Sequence, residues 1–219
     1  MHIDIFSDTI CPWCFIGKRR LERALEERPQ PDLTVRWRAF QLNPDMPSEG
    51  MERGRYLELK FGGALNAQAV YAQVRAAGES EGIPFAFERI ARTPNTVDSH
   101  RLIRFAEAKQ RQDEIVEALF AAYFLRGENI GEVEILVAAA EAAGLDPEEV
   151  RAFLNSDAEA DVVRAEDAAA RRAGINGVPC FIFNGHYALA GAHPPEILFR
   201  LFDLANEEGE EAADEVGEA

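Results

Sequence analysis

Apolar and polar residues follow three different rhythms along this chain. In the first block an apolar strand over residues 2–6 runs through a polar turn into an apolar helix, which starts at Cys11-Pro12-Trp13-Cys14 and continues to about Arg28. Pro29-Gln30-Pro31 ends the helix, because proline lacks the N–H and clashes with the preceding turn. Residues 33–40 then alternate, with Leu33, Val35, Trp37 and Ala39 on one face, the two-residue period of a strand. Strand, helix, strand predicts a right-handed parallel crossover.

From Pro44 to about Ser156 the sequence turns alanine-rich and helical. The spacing predicts helices over 53–61, 66–81, 96–112, 112–125, 133–143 and 147–154, with an extended or looped stretch at 83–90. Gly62-Gly63, Gly82, Pro84, Pro94, Gly127, Gly131, Gly144 and Pro147 punctuate the block. No fixed period runs through it, so it reads as an insertion rather than a repeat array.

In the third block a helix over 157–173 is closed by Gly174, the residue favoured just past a helix end. Strands at 180–183 and 186–189 flank Asn184-Gly185, a strong signal for a tight antiparallel hairpin. Pro179 opens the first of them, where a missing N–H is tolerated. Pro194-Pro195 starts a final helix over 196–206. Residues 207–219 are acidic, nearly without large apolar side chains, and are expected to be disordered. The expected division is therefore 1–43 and 157–206 as two halves of one α/β unit, 44–156 as an all-helical insertion, and 207–219 as a tail.

Composition narrows the function classes. With 219 residues and 47% hydrophobic content the chain can bury a real core. A net charge of −16 argues against binding nucleic acid or anionic membranes through a basic surface. There is no apolar run of about 18 residues to span a membrane. Nor is there a basic, then apolar, then cleavable stretch at the start. The cytoplasm is the expected compartment, where disulfides are transient and catalytic or redox-sensing.

That makes Cys11 and Cys14 the candidate chemistry. Residues three apart share one helical face, so the two sulfurs can close into a small ring. At the N-cap, the Cys11 sulfur is expected to face the free N–H groups of Trp13 and Cys14 and the positive end of the helix dipole, both of which favour a thiolate. Pro12 suits the first helical position. Cys14, on the face of Leu21 and Leu25, is expected to be more buried and to act as the resolving thiol. Trp13 shapes the surface around the pair, and Asp8 and Lys18 are charges that can tune it. A zinc or iron–sulfur half-site is the competing reading and needs about four ligands. Beyond the pair the chain offers only Cys180, His2, His100, His186 and His193, with no second close cysteine pair, so no metal is expected. Cys180 reads as a small core residue, with a resolving or mixed-disulfide role as the alternative.

The phrases FSDTICPWCFIGK and GVPCFIFNGHYALAGAHPPE, together with the order of elements, resemble thioredoxin-fold proteins of the DsbA family. Within it they resemble the FrnE-like cytoplasmic branch, which is similar to 2-hydroxychromene-2-carboxylate isomerases and kappa-class glutathione transferases. The resemblance implies an α/β thioredoxin fold with the helical insertion between a βαβ and a ββα half. It also implies a cis Val178–Pro179 peptide beside the dithiol, with the Val178 backbone offering hydrogen bonds to an extended substrate. Asn95, Thr96, Asp98 and His100 resemble a segment bordering the cleft in that branch; the plain physical reading of the segment is helix capping. In the isomerase and kappa branch the first cysteine position is commonly serine and glutathione is bound. Here both cysteines stand, which favours dithiol chemistry. The tail also lacks the extra cysteines of some FrnE-like proteins.

The expected function is thus a thiol–disulfide oxidoreductase. Cys11 is the nucleophile, Cys14 resolves, Pro12, Trp13, Val178 and Pro179 meet the substrate, and Cys180, His100 and Asn95 are auxiliary candidates. No cofactor is required, and glutathione is a candidate redox partner. Expected clients are disulfide- or dithiol-containing proteins or small thiols. A glutathione-dependent isomerase or transferase and a non-enzymatic redox sensor are the alternatives. The sequence does not choose between monomer and homodimer.

Overall fold

Two stretches from opposite ends of the chain meet in one sheet. In the computed structural model, which describes residues 1–217, β1 (His2–Ser7) leads through a turn into α1 (Pro12–Glu27), and β2 (Thr34–Ala39) returns parallel to β1. The chain then leaves the sheet through β3 (Met51–Glu52), α2 (Arg53–Phe61), α3 (Ala64–Glu79), β4 (Arg92–Thr93), α4 (Val97–Glu107), α5 (Gln112–Phe120), α6 (Val133–Ala142) and α7 (Pro147–Leu154). It returns through α8 (Ala160–Arg172), β5 (Cys180–Phe183), β6 (Tyr187–Ala190) and α9 (Pro195–Gly217). The sheet order is β2-β1-β5-β6, with β5 antiparallel to β1 and β6 antiparallel to β5. This is the expected α/β architecture, a βαβ half and a ββα half joined across a helical insertion.

Strand alternation sends neighbouring side chains to opposite faces. Ile3 and Ile5 of β1 lie opposite Phe183 and Phe181 of β5, and all four are buried in the main core with Leu198 and Phe202 of α9. On the other face Cys180 packs with Phe40, Ala170 and Ile175. The insertion is fastened to α1 by aromatic rings. Phe15 of α1 stacks on Phe120 of α5 at 5.0 Å between centroids and meets Phe85 edge-on at 6.1 Å. Such pairs add to burial by geometry as well as by area. They set how the insertion overhangs the start of α1.

An ion cluster holds the same helix from its side. Lys18, only 3% exposed, contacts the carboxylates of Glu22, Asp113 (3.0 Å) and Glu117 (3.2 Å). Burial opposes the charge on Glu117, but the Arg19 hydrogen bond and the neighbouring cations outweigh it and hold that carboxyl below its ordinary range. Burial likewise disfavours the Lys18 ammonium, and Asp113, Glu22 and Glu117 outweigh it, raising its pKa. A depressed Glu gives stability that is present above its unfolded value and lost as pH falls through the folded one. A raised Lys gives stability that is lost only as pH climbs through its folded value. Urea midpoints should therefore fall in the acid range, below the ordinary glutamate value of 4.5. Glu117→Gln should flatten that limb, and an unchanged acid limb would show that the cluster contributes nothing.

Several expectations need correction. The helices expected over 96–112 and 112–125 differ: α4 stops at Glu107, and α5 passes at Phe120 into a wider π turn, Ala121–Arg126. Gln110 adopts a left-handed φ of 57°, which breaks the first run, and Gly127 at φ 72° closes the second. β3 and β4 pair as two-residue strands, too short to leave a period in the sequence. The second hairpin strand is Tyr187–Ala190, because three residues separate the paired Phe183 and Tyr187. The disorder expected from Glu207 gives way to α9, which runs to Gly217. Alanine and glutamate are strong helix formers, so loss of apolar residues removes packing without removing helical preference. The last two residues of that tail lie outside the described residues.

Candidate active site

The turn between β1 and α1 is built by backbone bonds. The Cys11 N–H donates to Asp8 O at 3.0 Å, and the Cys14 N–H donates to Cys11 O at 3.0 Å. Cys11 is the N-cap with extended dihedrals and Pro12 occupies the first helical position, where its missing N–H costs nothing. Both thiols are unbonded and buried, Cys11 at 4% and Cys14 at 1% exposure, while Trp13 between them stands 37% exposed. The expected bonds from the helix N–H groups to the Cys11 sulfur are not formed. Instead the Cys11 thiol donates to Val178 O at 3.5 Å, and a thiolate, having no proton to give, loses that contact.

The Val178–Pro179 peptide is cis and lies against the dithiol helix. A Cβ added to Gly17, one turn beyond Cys14, would sit 2.9 Å from Pro179 Cγ and 3.2 Å from Phe181 Cζ, so only glycine permits this approach. Burial pushes the Cys14 thiol well above its ordinary value, and contact with Cys11 adds to this. The Ser7 hydroxyl and the Asp8 backbone act against it.

Asp8 is the best-buried charge of the site, with no exposed surface. One carboxylate oxygen accepts the Leu42 N–H at 2.6 Å, and the other faces His100 Nε2 at 3.5 Å. The same turn is tied to α4 by Thr9 and Ser99, whose hydroxyls are 2.8 Å apart. Asn95 does the capping expected of this segment. Its Oδ1 accepts the Val97 N–H at 2.9 Å and its Nδ2 donates to Met46 O at 2.6 Å, while Thr96 makes no side-chain cap. His100 and Asn95 are therefore brought to the site, His100 beside Asp8 and Asn95 as the brace of the loop that borders it.

A cleft of about 330 Å³ opens beside the turn, walled by Leu42, Met46, Met51, Tyr56, Leu59 and Lys60. Burial raises the Tyr56 phenol, and the charges of Asp8 and Cys11 act on it in the same direction. Sequence reasoning missed Tyr56 and Leu42. The available signal was the position of Leu42-Asn43-Pro44 just past the carboxyl end of β2, where α/β sheets place their ligands.

Two candidates fall away from the dithiol. Cys180 follows Pro179 in sequence but points to the opposite sheet face, where burial raises its thiol; the alternation of β5 forces this. Lys18 spends its charge on Glu22, Asp113 and Glu117. Among the described residues no cluster of three or more His, Cys, Asp or Glu could hold a metal ion. Among them, too, no helix is long and apolar enough to cross a membrane.

Comparison with known proteins gives a consistent picture. The family model described as DSBA-like thioredoxin domain matches residues 2–202. The uncharacterized protein YwbO of Bacillus subtilis is 30% identical over 193 residues, covering 88% of this chain and 90% of its own. The crystal structure of probable DsbA oxidoreductase SCO1869 from Streptomyces coelicolor superposes with a TM-score of 0.85 at 33% identity, over 95% of this chain and 91% of that one. A 2-hydroxychromene-2-carboxylate isomerase shares the fold, with a TM-score of 0.69 at 20% identity over 98% of both chains.

Proposed function

The chain belongs to the DSBA-like thioredoxin domain family, and on that premise we propose that it is a thiol–disulfide oxidoreductase in which Cys11 attacks and Cys14 resolves. The observation that carries the reading is the meeting of three parts. A free thiol stands at the start of α1, a second thiol touches it one turn on, and the carbonyl before Pro179 lies within reach of the first. The Cys11 thiolate attacks one sulfur of a client disulfide, forming a mixed disulfide and expelling the other sulfur as a thiolate. The Cys14 thiolate then attacks Cys11 Sγ, forming Cys11–Cys14 and releasing the client's second sulfur. Two electrons pass to the client, and the reverse sequence reduces the protein.

Once Cys11 leaves it, the Val178 carbonyl can accept a hydrogen bond from an extended client backbone, with Pro12, Trp13 and Pro179 forming the contact surface. Disulfide- or dithiol-containing proteins and small thiols are the proposed clients. Glutathione is the proposed redox partner, without a resident cofactor, and the cytoplasm the proposed compartment.

The test equilibrates the protein in glutathione buffers and follows reduction of a protein disulfide. Turnover should fall to background in Cys11→Ser, a loss of roughly a thousandfold or more, as when a nucleophile is removed. Cys14→Ser should accumulate a mixed disulfide at Cys11. Equal turnover in wild type and Cys11→Ser would reject the reading. Glutathione-dependent isomerisation that survives Cys14→Ser would replace it with the chemistry suggested by the isomerase neighbour.

A further inference from the structure

The two edges of the sheet are finished differently. Along β2 the N–H groups of Trp37, Ala39 and Gln41 point away from β1, and a side chain takes each of them: Gln112 Oε1 at 3.1 Å, Glu166 Oε2 at 2.8 Å and Asp167 Oδ1 at 2.8 Å. An edge closed in this way cannot accept another strand. At β6 nothing comparable stands among the described residues. The Gly191 N–H donates to Pro179 O at 2.7 Å, which fixes the phase of the ladder. Tyr187 and Leu189 therefore turn their backbone groups to β5, and Ala188 and Ala190 turn theirs outward. Both alanines are exposed. His193 Nε2 lies 2.9 Å from Ala190 O. The Ala188 N–H, the Ala188 carbonyl and the Ala190 N–H are left without a protein partner among the described residues.

Charge is a second difference. Residues 173–195 contain no Asp, Glu, Lys or Arg, in a chain where 28% of residues are charged and the net charge is −16. The lysines and prolines that guard natural edges are missing from β6 itself. The edge also lies next to the dithiol, since the same Gly191 N–H ties the end of β6 to Pro179, beside the Val178 carbonyl that meets Cys11. We propose that the β6 edge is a docking strand for the client polypeptide, which adds an extended, uncharged segment to the sheet while its cysteine is held at Cys11. The proposal rests on the dithiol reading above. Four residues span about 13 Å. Stable pairing of globular surfaces needs roughly 800 Å² from each partner, more than so short an edge supplies, so a second copy of this chain is the poorer occupant. A client in mixed disulfide is already tethered, and tethering lets weak pairing count. Ala188 and Ala190 share a face with Ile182, and their small side chains leave room for β-branched or aromatic residues on the added strand.

The test uses the full chain and a cysteine peptide joined to an aromatic thiol, whose release absorbs light and reports attack by Cys11. One peptide carries an arm of about six Val and Thr residues, the length of an ordinary strand. A second has the same arm N-methylated at alternate residues, and a small aromatic disulfide without peptide is the reference. The unmethylated arm should raise the rate of release about tenfold over the methylated one, the worth of one or two net hydrogen bonds. Ala188→Pro, which removes an outward N–H, should erase that advantage while the small disulfide reacts at the wild-type rate. An equal advantage in wild type and Ala188→Pro would overturn the proposal. So would equal rates for the two peptides in wild type, a comparison that needs no variant to fold. A dimer in solution that Ala188→Pro dissolves would give the edge to a second copy, and overturns it too. Absence of release from the small disulfide by wild type is a separate outcome, which rejects the dithiol reading and the docking strand with it.

Discussion

Replacing Arg101 by methionine is expected to lower stability by about 3 kcal/mol and the melting temperature by roughly 10 °C for a chain of this size. A guanidinium has five N–H donors, and here all five are used. Nε donates to Ala158 O at 2.7 Å; one terminal nitrogen donates to Asp98 (2.8 Å) and Leu154 O (3.2 Å); the other donates to Phe153 O (2.9 Å) and Ser156 O (2.6 Å). The side chain is 3% exposed and its charge lies 5.0 Å from the Phe153 ring centroid. Arg101 therefore ends α7, whose last carbonyls have no helical partner, and ties that end to α4. Loss of charge pairing is the smaller part of the cost, because Asp98 is 38% exposed and can rehydrate. The larger part is the Leu154 carbonyl, buried with its residue at 4% exposure, which water cannot easily rescue. Arg101→Lys keeps the charge but has three donors in place of a planar fork, so it should fall between the two. Equal urea midpoints for wild type and Arg101→Met would show that the carbonyls find other partners.

Arg101 shows why part of this molecule was legible in sequence and part was not. Local signals succeeded where the chain decides its own geometry. Cys11-Pro12 fixed a helix start, a short apolar run gave β1 and alternation gave β2, and Asn184-Gly185 turned a hairpin whose register differs by one residue. The expectation failed where distant segments supply the partner. Nothing near Arg101 in sequence announces four carbonyls from residues 153–158, and nothing near His100 announces a carboxylate at position 8. The capping reading of the segment from Asn95 was right about the backbone, and silent about the side chain that crosses to Asp8. Cys180 lay outside the reach of adjacency for the opposite reason. It is one residue from the proline that faces the dithiol, and one residue along a strand is the other side of the sheet.

Substituting Gly17 by valine is expected to slow attack by Cys11 on a disulfide about a hundredfold, the scale of loss that follows an ångström of misplacement at a reacting centre. In an open helix, glycine to alanine would stabilise by about 1 kcal/mol. Here the new Cβ meets Pro179 Cγ at 2.9 Å and Phe181 Cζ at 3.2 Å. Neither atom can step aside freely, because Phe181 is 1% exposed in the core and Pro179 leads directly into β5. Overpacking of this kind costs about 1–3 kcal/mol, so the clash wins over the propensity, and branching at valine leaves fewer rotamers to escape it. The easiest relief is for α1 and the Val178–Pro179 segment to separate, which draws the Val178 carbonyl away from Cys11. Activity should therefore fall more steeply than stability, with Gly17→Ala showing the same order at smaller size. A Gly17→Val protein that attacks at the wild-type rate would mean that the contact between α1 and Pro179 is slack, and that the carbonyl before Pro179 has no part in presenting the thiol.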